Sequence, residues 1–308
     1  MQFDKAPKSH AEQLDLLISR GLIIEDPDFA LHCLSRVNYY RLTAYRFPLV
    51  EAANSDEFLV NSRFEQLWSH YDFDRKLRNH FMDAIEKIEV ALRSAWAYQL
   101  AMSHGTHAYI DNSLFKSAVE HTKMLSKLDG DINRSKEPFV KHYKNKYTSP
   151  ERPPIWAVCE LMTLGQLSNF YKNLARSADQ QAIARGFGLN QQPLASYLHA
   201  LTFIRNICAH HARLWNKKVT ITCQKPRTWD ASFDEAWNED SVNQRNIYNI
   251  IVLTLYILKD LVPQNLWGKH LLDLMNQYTD INPQDMGFPE NWQELELWKN
   301  LSNSTEEA

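Results

Sequence analysis

The run LRNHFMDAIEKIEVALRSAW, residues 77–96, contains the most regular hydrophobic repeat of the chain. Its apolar side chains recur every three or four residues, at Leu77, Phe81, Ile85, Ile88, Leu92, Ala95 and Trp96. This spacing places them on one face of an α-helix, because a helix completes a turn about every 3.6 residues. The periodicity continues on both sides, so we predict one long helix over residues 63–102. On its opposite side Glu89 and Arg93 are one turn apart, and we expect them to form an ion pair.

Helical periodicity also recurs along most of the remaining chain. The further predicted helices span 11–19, 29–36, 39–47, 114–128, 138–146, 155–174, 194–215, 245–261 and 266–278. One short run, VTITC at 219–223, has the composition of a strand, but a single strand cannot form a sheet. The chain has only eight glycines and no glycine-rich phosphate loop, which argues against a nucleotide-binding α/β fold. The sequence therefore predicts an all-α protein.

The segment RNICAHHARLWN, residues 205–216, contains the most reactive combination of side chains. A continuous helix over 194–215 would place one polar stripe along it, formed by His199, Thr202, Asn206, His210 and Arg213. His211 would then point to the apolar side, and we expect it to be a hydrogen-bonded core histidine. Arg205 would lie beside the stripe, with a side chain long enough to reach a phosphate held near His210.

Arg205 and His210 together suit metal-free cleavage of RNA. A histidine titrates near neutral pH and can move a proton to or from a ribose hydroxyl or a leaving oxygen. An arginine keeps its charge, and its planar fork fits phosphodiester oxygens on which negative charge develops. The alternative interpretation is an ordinary solvated helix face, because an arginine five positions before a histidine often arises by chance.

Several blocks of the chain resemble one protein family, and they occur in the expected order. They are QL at 13–14 through RGLII at 20–24, LSRVNYYRL at 34–42, YDFDRKLR at 71–78, IEKIEVALR at 85–93, PIWAVCELM at 154–162 with LG at 164–165, the segment 205–216, and MGFPENW at 286–292. By these blocks the chain resembles the Abi-like abortive-infection proteins of the AbiD/AbiF type, within the HEPN ribonuclease superfamily. The resemblance implies a HEPN-like helical bundle core. It also places Arg205, Asn206 and His210 at the Arg-polar-x3-His signature of HEPN nucleases, as catalytic residues.

The resemblance further implies a homodimer, because HEPN nucleases assemble one composite cleft from two such helices. Cleavage by a 2′-hydroxyl profits from a base on one side and an acid on the other, and two subunits supply two histidines. The products would be a 2′,3′-cyclic phosphate and a 5′-hydroxyl. The implied role is a toxin in antiphage defence that cuts RNA, with a small non-coding RNA as a candidate restraining partner.

Two other classes of function remain open for this chain. A HEPN module can bind RNA or protein without cutting, and the N-terminal and C-terminal parts could form a protein-interaction scaffold. The complete set of Arg205, Asn206 and His210 favours the nuclease, because a pure binder needs no titratable histidine within reach of that arginine.

The charge distribution bears on RNA binding. A net charge of −3 is unusual for a protein that handles RNA. Residues 278–308 hold seven acidic residues and one lysine, so this tail carries −6 and the rest of the chain carries +3. Basic residues gather over 134–152 among aromatic ones, as suits a single-stranded RNA path, although such a run is often an ordinary solvated surface. The candidate RNA contacts are Lys141, Lys144, Lys146 and Arg213.

Other sequence features indicate neither metal, cofactor nor membrane attachment. The four cysteines have no CxxC spacing, and HGTH at 104–107 lacks a nearby acidic or cysteine partner, so we expect it to be a loop rather than a metal site. The start MQFDK lacks the apolar run of a signal peptide. The apolar segment 247–258 is too short to span a bilayer, and we expect it to be a buried core helix. A cytoplasmic protein is expected.

The predicted domain organisation has three parts. Residues 1–53 form an N-terminal helical lobe, 63–277 the HEPN-like helical core, and 278–308 an acidic C-terminal segment. A hinge is expected over 54–64, between the lobe and the core.

Overall fold

A computed structural model describes residues 6–51, 55–262 and 264–303. The α-helices in these ranges are α1 (His10–Ser19), α2 (Pro27–Arg36), α3 (Tyr39–Thr43), α4 (Phe64–His104), α5 (Ala118–Arg134), α6 (Pro138–Lys146), α7 (Ile155–Val158), α8 (Leu164–Asn173), α9 (Ser177–Arg185), α10 (Gln191–Ala209), α11 (Ala231–Ala236), α12 (Tyr248–Leu261), α13 (Trp267–Gln277) and α14 (Glu296–Ser302). The strand-like pairings among the described residues are two isolated bridges, Ile23 with Arg63 and Phe115 with Leu174. The all-α prediction is confirmed.

Several helix boundaries differ from those predicted. The helix expected over 155–174 is interrupted after α7 and a 3-10 turn at Cys159–Leu161, because Met162 is extended and Thr163 starts α8 afresh. Thr163 and Gln166 form a capping box there, which satisfies the free N–H groups of a new helix start. Polar residues at 177–185 form α9, and two short helices, α11 and α14, were not predicted.

The described contacts divide the chain into two compact units. The first comprises Met1–Arg78 and Asp273–Asn282, and the second comprises Asn79–Leu272 and Pro283–Ala308. The divisions fall within α4 and within α13. The domain limits drawn from the sequence, with the lobe ending at 53, the core spanning 63–277 and the tail starting at 278, stay predictions. Residues 1–5, 52–54, 263 and 304–308 of those ranges lie outside the described residues.

Within the first unit, the block 71–78 contains a buried ion pair. Asp74 is fully buried, and the guanidinium of Arg78, one turn further along α4, is paired with it. The Tyr45 hydroxyl donates a hydrogen bond of 2.5 Å to Asp74. Burial, together with the charge of Asp74, raises the pKa of Tyr45, which keeps this phenol protonated and able to donate. These charged residues therefore support the interior of the unit.

In the second unit, α8 and α10 form a closely packed pair, with α5 against α8 and with α9 and α12 against α10. α12 is buried on almost every side, and the Tyr197 and Thr254 hydroxyls join α10 to it at 2.8 Å. The prediction of a core helix over 247–258 is thus confirmed. Across the described ranges, every helix is too short or too polar to span a membrane.

Part of the acidic C-terminal region also packs within the second unit. α14 packs against α11, and Phe288, Trp292 and Trp298 are buried in one aromatic cluster with Tyr248. The carboxylates of Glu290, Glu294 and Glu296 belong to exposed residues. Three of the four acidic residues of 283–303 therefore lie on the surface of a folded segment, and the fourth, Asp285, is half-buried.

Candidate functional site

α10 ends earlier than its sequence suggests, and this end forms the candidate site. The last helical residue is Ala209, and His210 is the C-cap. His211 has a positive φ of 53°, and its N–H donates to the Cys208 carbonyl at 3.1 Å. The N–H of Ala212 donates to the Ile207 carbonyl at 2.9 Å. These two bonds make a Schellman motif, the usual way of closing a helix, with histidine in the position that glycine commonly takes.

The expectation that His211 is a core histidine is wrong. His211 is exposed, because the helix stops before it and the helical phase that would have turned it inward no longer applies. Leu214 and Trp215 are still fully buried, since the chain after the cap turns back onto the unit. A continuous helix would also have placed Arg213 in the polar stripe. In the structure Arg213 lies beyond the end of α10 and is half-buried, with contacts inside the protein. As an RNA contact it stays a prediction.

The three candidate catalytic residues lie on the last turn and cap of α10. Asn206 and His210 are exposed and four positions apart, so they are neighbours on one face, while Arg205 is half-buried beside them. Among the described residues no side-chain hydrogen bond or ion pair involves Arg205, Asn206 or His210. Their polar groups are therefore available to a ligand. His199 is exposed on the same stripe; partial burial, and next the charge of Lys172, lower its pKa.

α8 packs against the middle of α10, and α4 in turn holds the start of α8. A Cβ built on Gly165 would lie 3.2 Å from the Thr202 methyl, so this glycine allows α8 to approach α10 one turn before the candidate residues. Arg93 of α4 donates 2.9 Å to the Met162 carbonyl, at the start of α8. The Arg93 guanidinium is also 2.5 Å from the Glu89 carboxylate, which confirms the predicted pair.

The candidate RNA-contact lysines lie together on α6 but differ in their surroundings. The Lys144 ammonium is bound by the Ile132 carbonyl at 3.2 Å and the Asn133 side-chain oxygen at 3.1 Å, at the end of α5. Lys146 lies over the Tyr147 ring at 5.4 Å, and Lys141 is exposed. Lys144 thus anchors α6, whereas Lys141 and Lys146 are better placed to meet a phosphate.

Between α6 and α7 lies a cleft of about 330 Å³ that the sequence did not reveal as a unit. It is lined by Phe139, His142, Tyr143, Pro154, Trp156, Ala157 and Glu160. The aromatic residues of α6 were noticed in the sequence, but Trp156 and Glu160 were missed. The sequence feature that could have indicated them is the pair of prolines at 153–154. These prolines directly precede α7 and place Trp156 on its first turn.

The histidines of 104–107 make structural contacts. His104 ends α4 and contacts Asp179 at 2.9 Å, and His107 contacts the Arg152 carbonyl at 3.0 Å. Residues 105–107 leave the helix in a turn, so the loop interpretation holds for them, whereas His104 is helical and has in Asp179 an acidic neighbour that the sequence did not reveal. In the part of the chain that the structure describes, no three His, Cys, Asp or Glu side chains are grouped as metal ligands.

Comparison with known proteins adds a family match. The family model described as Abi-like protein matches residues 32–216, more than half of the chain. The matched range includes α4, the α6–α7 cleft and all of α10, and it ends in the loop that follows the α10 cap. No curated protein and no solved structure matches the chain.

Proposed function

Because the chain belongs to the Abi-like protein family, whose description points to abortive infection, we propose that it is a metal-independent endoribonuclease of the HEPN type, acting as a cytoplasmic toxin in antiphage defence. The observation that carries this proposal is the end of α10. There Arg205, Asn206 and His210 gather on one helical turn without a side-chain partner among the described residues.

The proposed reaction uses these side chains directly. One His210 takes the proton of the ribose 2′-hydroxyl, and the 2′-oxygen attacks the adjacent phosphorus. Arg205 stabilises the negative charge that builds on the phosphate oxygens. The bond to the 5′-oxygen breaks, and a protonated histidine gives that oxygen its proton. The products are a 2′,3′-cyclic phosphate and a 5′-hydroxyl. Asn206, beside His210, holds the substrate by hydrogen bonds.

A second copy of the chain would complete this site. One copy of α10 supplies one His210 as the proposed proton-transfer group, whereas the reaction uses a base and an acid on opposite sides of the phosphate. The C-terminal end of a helix also carries partial negative charge, which disfavours an anion near one isolated copy. Two copies of Arg205 across a two-fold axis would offset that charge. We therefore include a homodimer in the proposal.

The test is cleavage of a labelled single-stranded RNA by the full-length protein in EDTA. We expect His210→Ala to reduce the rate roughly 10²-fold or more, because it removes a proton-transfer group. Arg205→Lys should also be nearly inactive, since an ammonium cannot make the two-pronged contact with phosphate oxygens. The matched control is His32→Ala, which removes an exposed histidine of α2. This variant should cleave RNA as fast as the parent.

Two outcomes would contradict the nuclease. A folded His210→Ala protein that cuts as fast as the parent would show that His210 is not catalytic. RNA that binds but stays intact with the parent protein would favour the non-cleaving RNA-binding module instead. Sequencing of nucleic acid that co-purifies with the protein tests the restraining partner: one abundant, discrete small RNA is expected.

A further inference from the structure

The α6–α7 cleft contains aromatic side chains that are exposed to solvent rather than buried in the core. Trp156 is 56% exposed and Phe139 is 37% exposed, although large aromatic rings are usually buried. Tyr143 and His142 line the same cleft, and the Glu160 carboxylate lies at its edge. With a volume of about 330 Å³, the cleft is at the small end of the range of ligand sites.

Both walls of the cleft are held by internal contacts. On the α6 side, Val140 is buried and the Lys144 ammonium is bound to the end of α5. The Tyr143 hydroxyl donates 2.7 Å to the Pro150 carbonyl, which fixes its ring. On the α7 side, the Ile155 N–H donates 3.0 Å to the Thr106 carbonyl, just beyond the end of α4. The cleft is therefore formed before a ligand arrives, which lowers the entropic cost of binding.

The charges around the cleft favour an anionic polymer. Residues 134–152 hold six basic and two acidic residues, and two of the basic ones, Arg134 and Arg152, form ion pairs with aspartates of α5. Lys146 stands over the Tyr147 ring, which packs on Tyr143 with centroids 5.1 Å apart. The carboxylate of Glu160 is 3.6 Å from the Arg93 guanidinium, so part of its charge is compensated. The exposed lysines of α6, Lys141 and Lys146, therefore attract a phosphodiester chain to the surface beside the cleft, which Glu160 itself lines.

We infer that the α6–α7 cleft binds one unpaired base of a single-stranded RNA, stacked on Trp156 and the aromatic residues of α6. This inference rests on the proposed function for its ligand. Aromatic stacking accepts any base, and the Glu160 carboxylate accepts a hydrogen bond from an exocyclic amino group. Cytosine has such a group and uracil does not, so the cleft favours cytosine between the two pyrimidines.

The cleft and the end of α10 are close enough for one strand to reach both. Gly165 follows Glu160 by five positions, which limits the distance between their Cα atoms to roughly 18 Å. Gly165 contacts Thr202, and Asn206 follows Thr202 by one turn, about 6 Å along α10. The base site therefore lies within about 30 Å of the candidate catalytic residues. A base held in the cleft would set the position of the phosphate presented to His210.

The test measures binding of fluorescent 2′-O-methyl oligonucleotides, which cannot be cleaved through the 2′-oxygen, to the full-length protein. We expect Trp156→Ala to weaken oligocytidine binding roughly 5- to 100-fold, the range for loss of one stacked base. Trp156→Phe should restore most of it. The matched control is Tyr40→Ala, which removes an exposed aromatic ring in the first unit and should bind as the parent does.

The preference for cytosine over uracil provides a second readout. A purely structural role of Glu160 would not affect this preference. The parent should bind oligocytidine about three- to ten-fold more tightly than oligouridine, the value of one hydrogen bond. Glu160→Ala removes the acceptor and should narrow the ratio of the oligocytidine and oligouridine affinities. Melting temperatures of all variants identify any that fail to fold. If Trp156→Ala fails to fold, the binding of Trp156→Phe is compared with that of the parent instead.

The results separate this inference from the proposed nuclease. Unchanged oligonucleotide binding by folded Trp156→Ala would overturn the base site, even if His210→Ala abolishes cleavage. Loss of binding in Trp156→Ala would support it, even if His210→Ala still cleaves. A parent protein that binds no oligonucleotide would overturn it as well. A change in tryptophan fluorescence on adding tetramethylammonium that is absent from Trp156→Phe, with RNA binding unaffected by Trp156→Ala, would assign the cleft to a cationic side chain instead.

Discussion

At the scale of single residues, the conformation of His211 determines how His210 is presented. A left-handed residue after the cap ends α10 and leaves His210 as the last near-helical residue, one turn beyond Asn206. Side chains other than glycine pay about 1–2 kcal/mol for this conformation, although histidine tolerates it better than most. The closure therefore stores a small strain directly beside the candidate catalytic histidine.

This conformation predicts a difference between two substitutions of His211. Both His211→Gly and His211→Ala remove the contacts of the side chain, but only alanine keeps the strain of a Cβ at positive φ. We expect the glycine variant to be more stable than the alanine variant by about 1 kcal/mol in urea unfolding. Both should still cleave RNA. A core role for His211 would instead give equally large losses of stability, and that result would contradict the exposed position.

At the scale of elements, packing decides where helices stop and which titratable groups they bury. His80 on α4 stacks on Trp267 of α13 with centroids 4.4 Å apart, and the Trp267 indole donates 2.8 Å to the His80 carbonyl. The Nε2 atom of His80 is buried without a partner. Burial lowers the pKa of His80 to about 4, so the folded protein holds this imidazole in its neutral form.

The neutral state of His80 predicts loss of stability in mild acid. The unfolded chain binds a proton at His80 near pH 6.5, whereas the folded chain binds it only near pH 4. The contribution of neutral His80 to the free energy of unfolding is therefore complete above pH 6.5 and is lost as the pH falls toward 4. It amounts to roughly 3 kcal/mol at most. His80→Phe keeps an aromatic ring against Trp267 and cannot titrate.

Urea unfolding at pH 7 and pH 4.5 measures this contribution. We expect the stability difference between the two pH values to shrink by about 2 kcal/mol in His80→Phe. A residual dependence should remain, because burial also lowers the pKa of His70. An unchanged difference between the two pH values would show that His80 is protonated as easily in the folded state as in the unfolded state.

At the scale of the whole molecule, the proposed site needs an interface between two copies. The second half of α4 exposes an apolar surface, here called the α4 face, formed by Val90, Ser94, Tyr98 and Met102. Tyr98 is 68% exposed and Met102 is 71% exposed, and residues 94–102 contain no charge. Large apolar side chains aligned without charges are typical of protein contacts. This face is our candidate for the homodimer interface.

The dimer predicts complementation between inactive subunits. Arg205→Ala and His210→Ala proteins are each expected to be inactive, but mixed dimers retain one arginine and one histidine at the shared cleft. We expect a small fraction of the parent's cleavage to return on mixing, because the one remaining histidine can make one of the two proton transfers while the one remaining arginine still stabilises the phosphate. The double variant Tyr98→Glu and Met102→Glu should be monomeric in analytical ultracentrifugation and inactive. Val119→Glu, which changes an exposed valine of α5, is the matched control and should stay dimeric. A monomeric parent with full activity would contradict the composite site.

The sequence by itself determined the helical class, the long α4, the Glu89–Arg93 pair and the core role of α12. Each follows from local periodicity, since side chains three and four residues apart share a helix face whatever surrounds them. The sequence also singled out Arg205, Asn206 and His210, whose chemistry is a property of the side chains themselves.

Only the tertiary structure decided where α10 ends and what its last turn presents. Residues 210–215 contain no glycine or proline, so no local signal predicted the cap, and the burial of Leu214 and Trp215 against the unit turns the chain there. The break before α8 did have a local signal, the capping box of Thr163 and Gln166, and Arg93 of α4 also holds the extended Met162 carbonyl. The α6–α7 cleft likewise joins residues that are separate in the chain. Contacts between distant segments leave no periodic pattern in the sequence, so the sequence alone could not predict them.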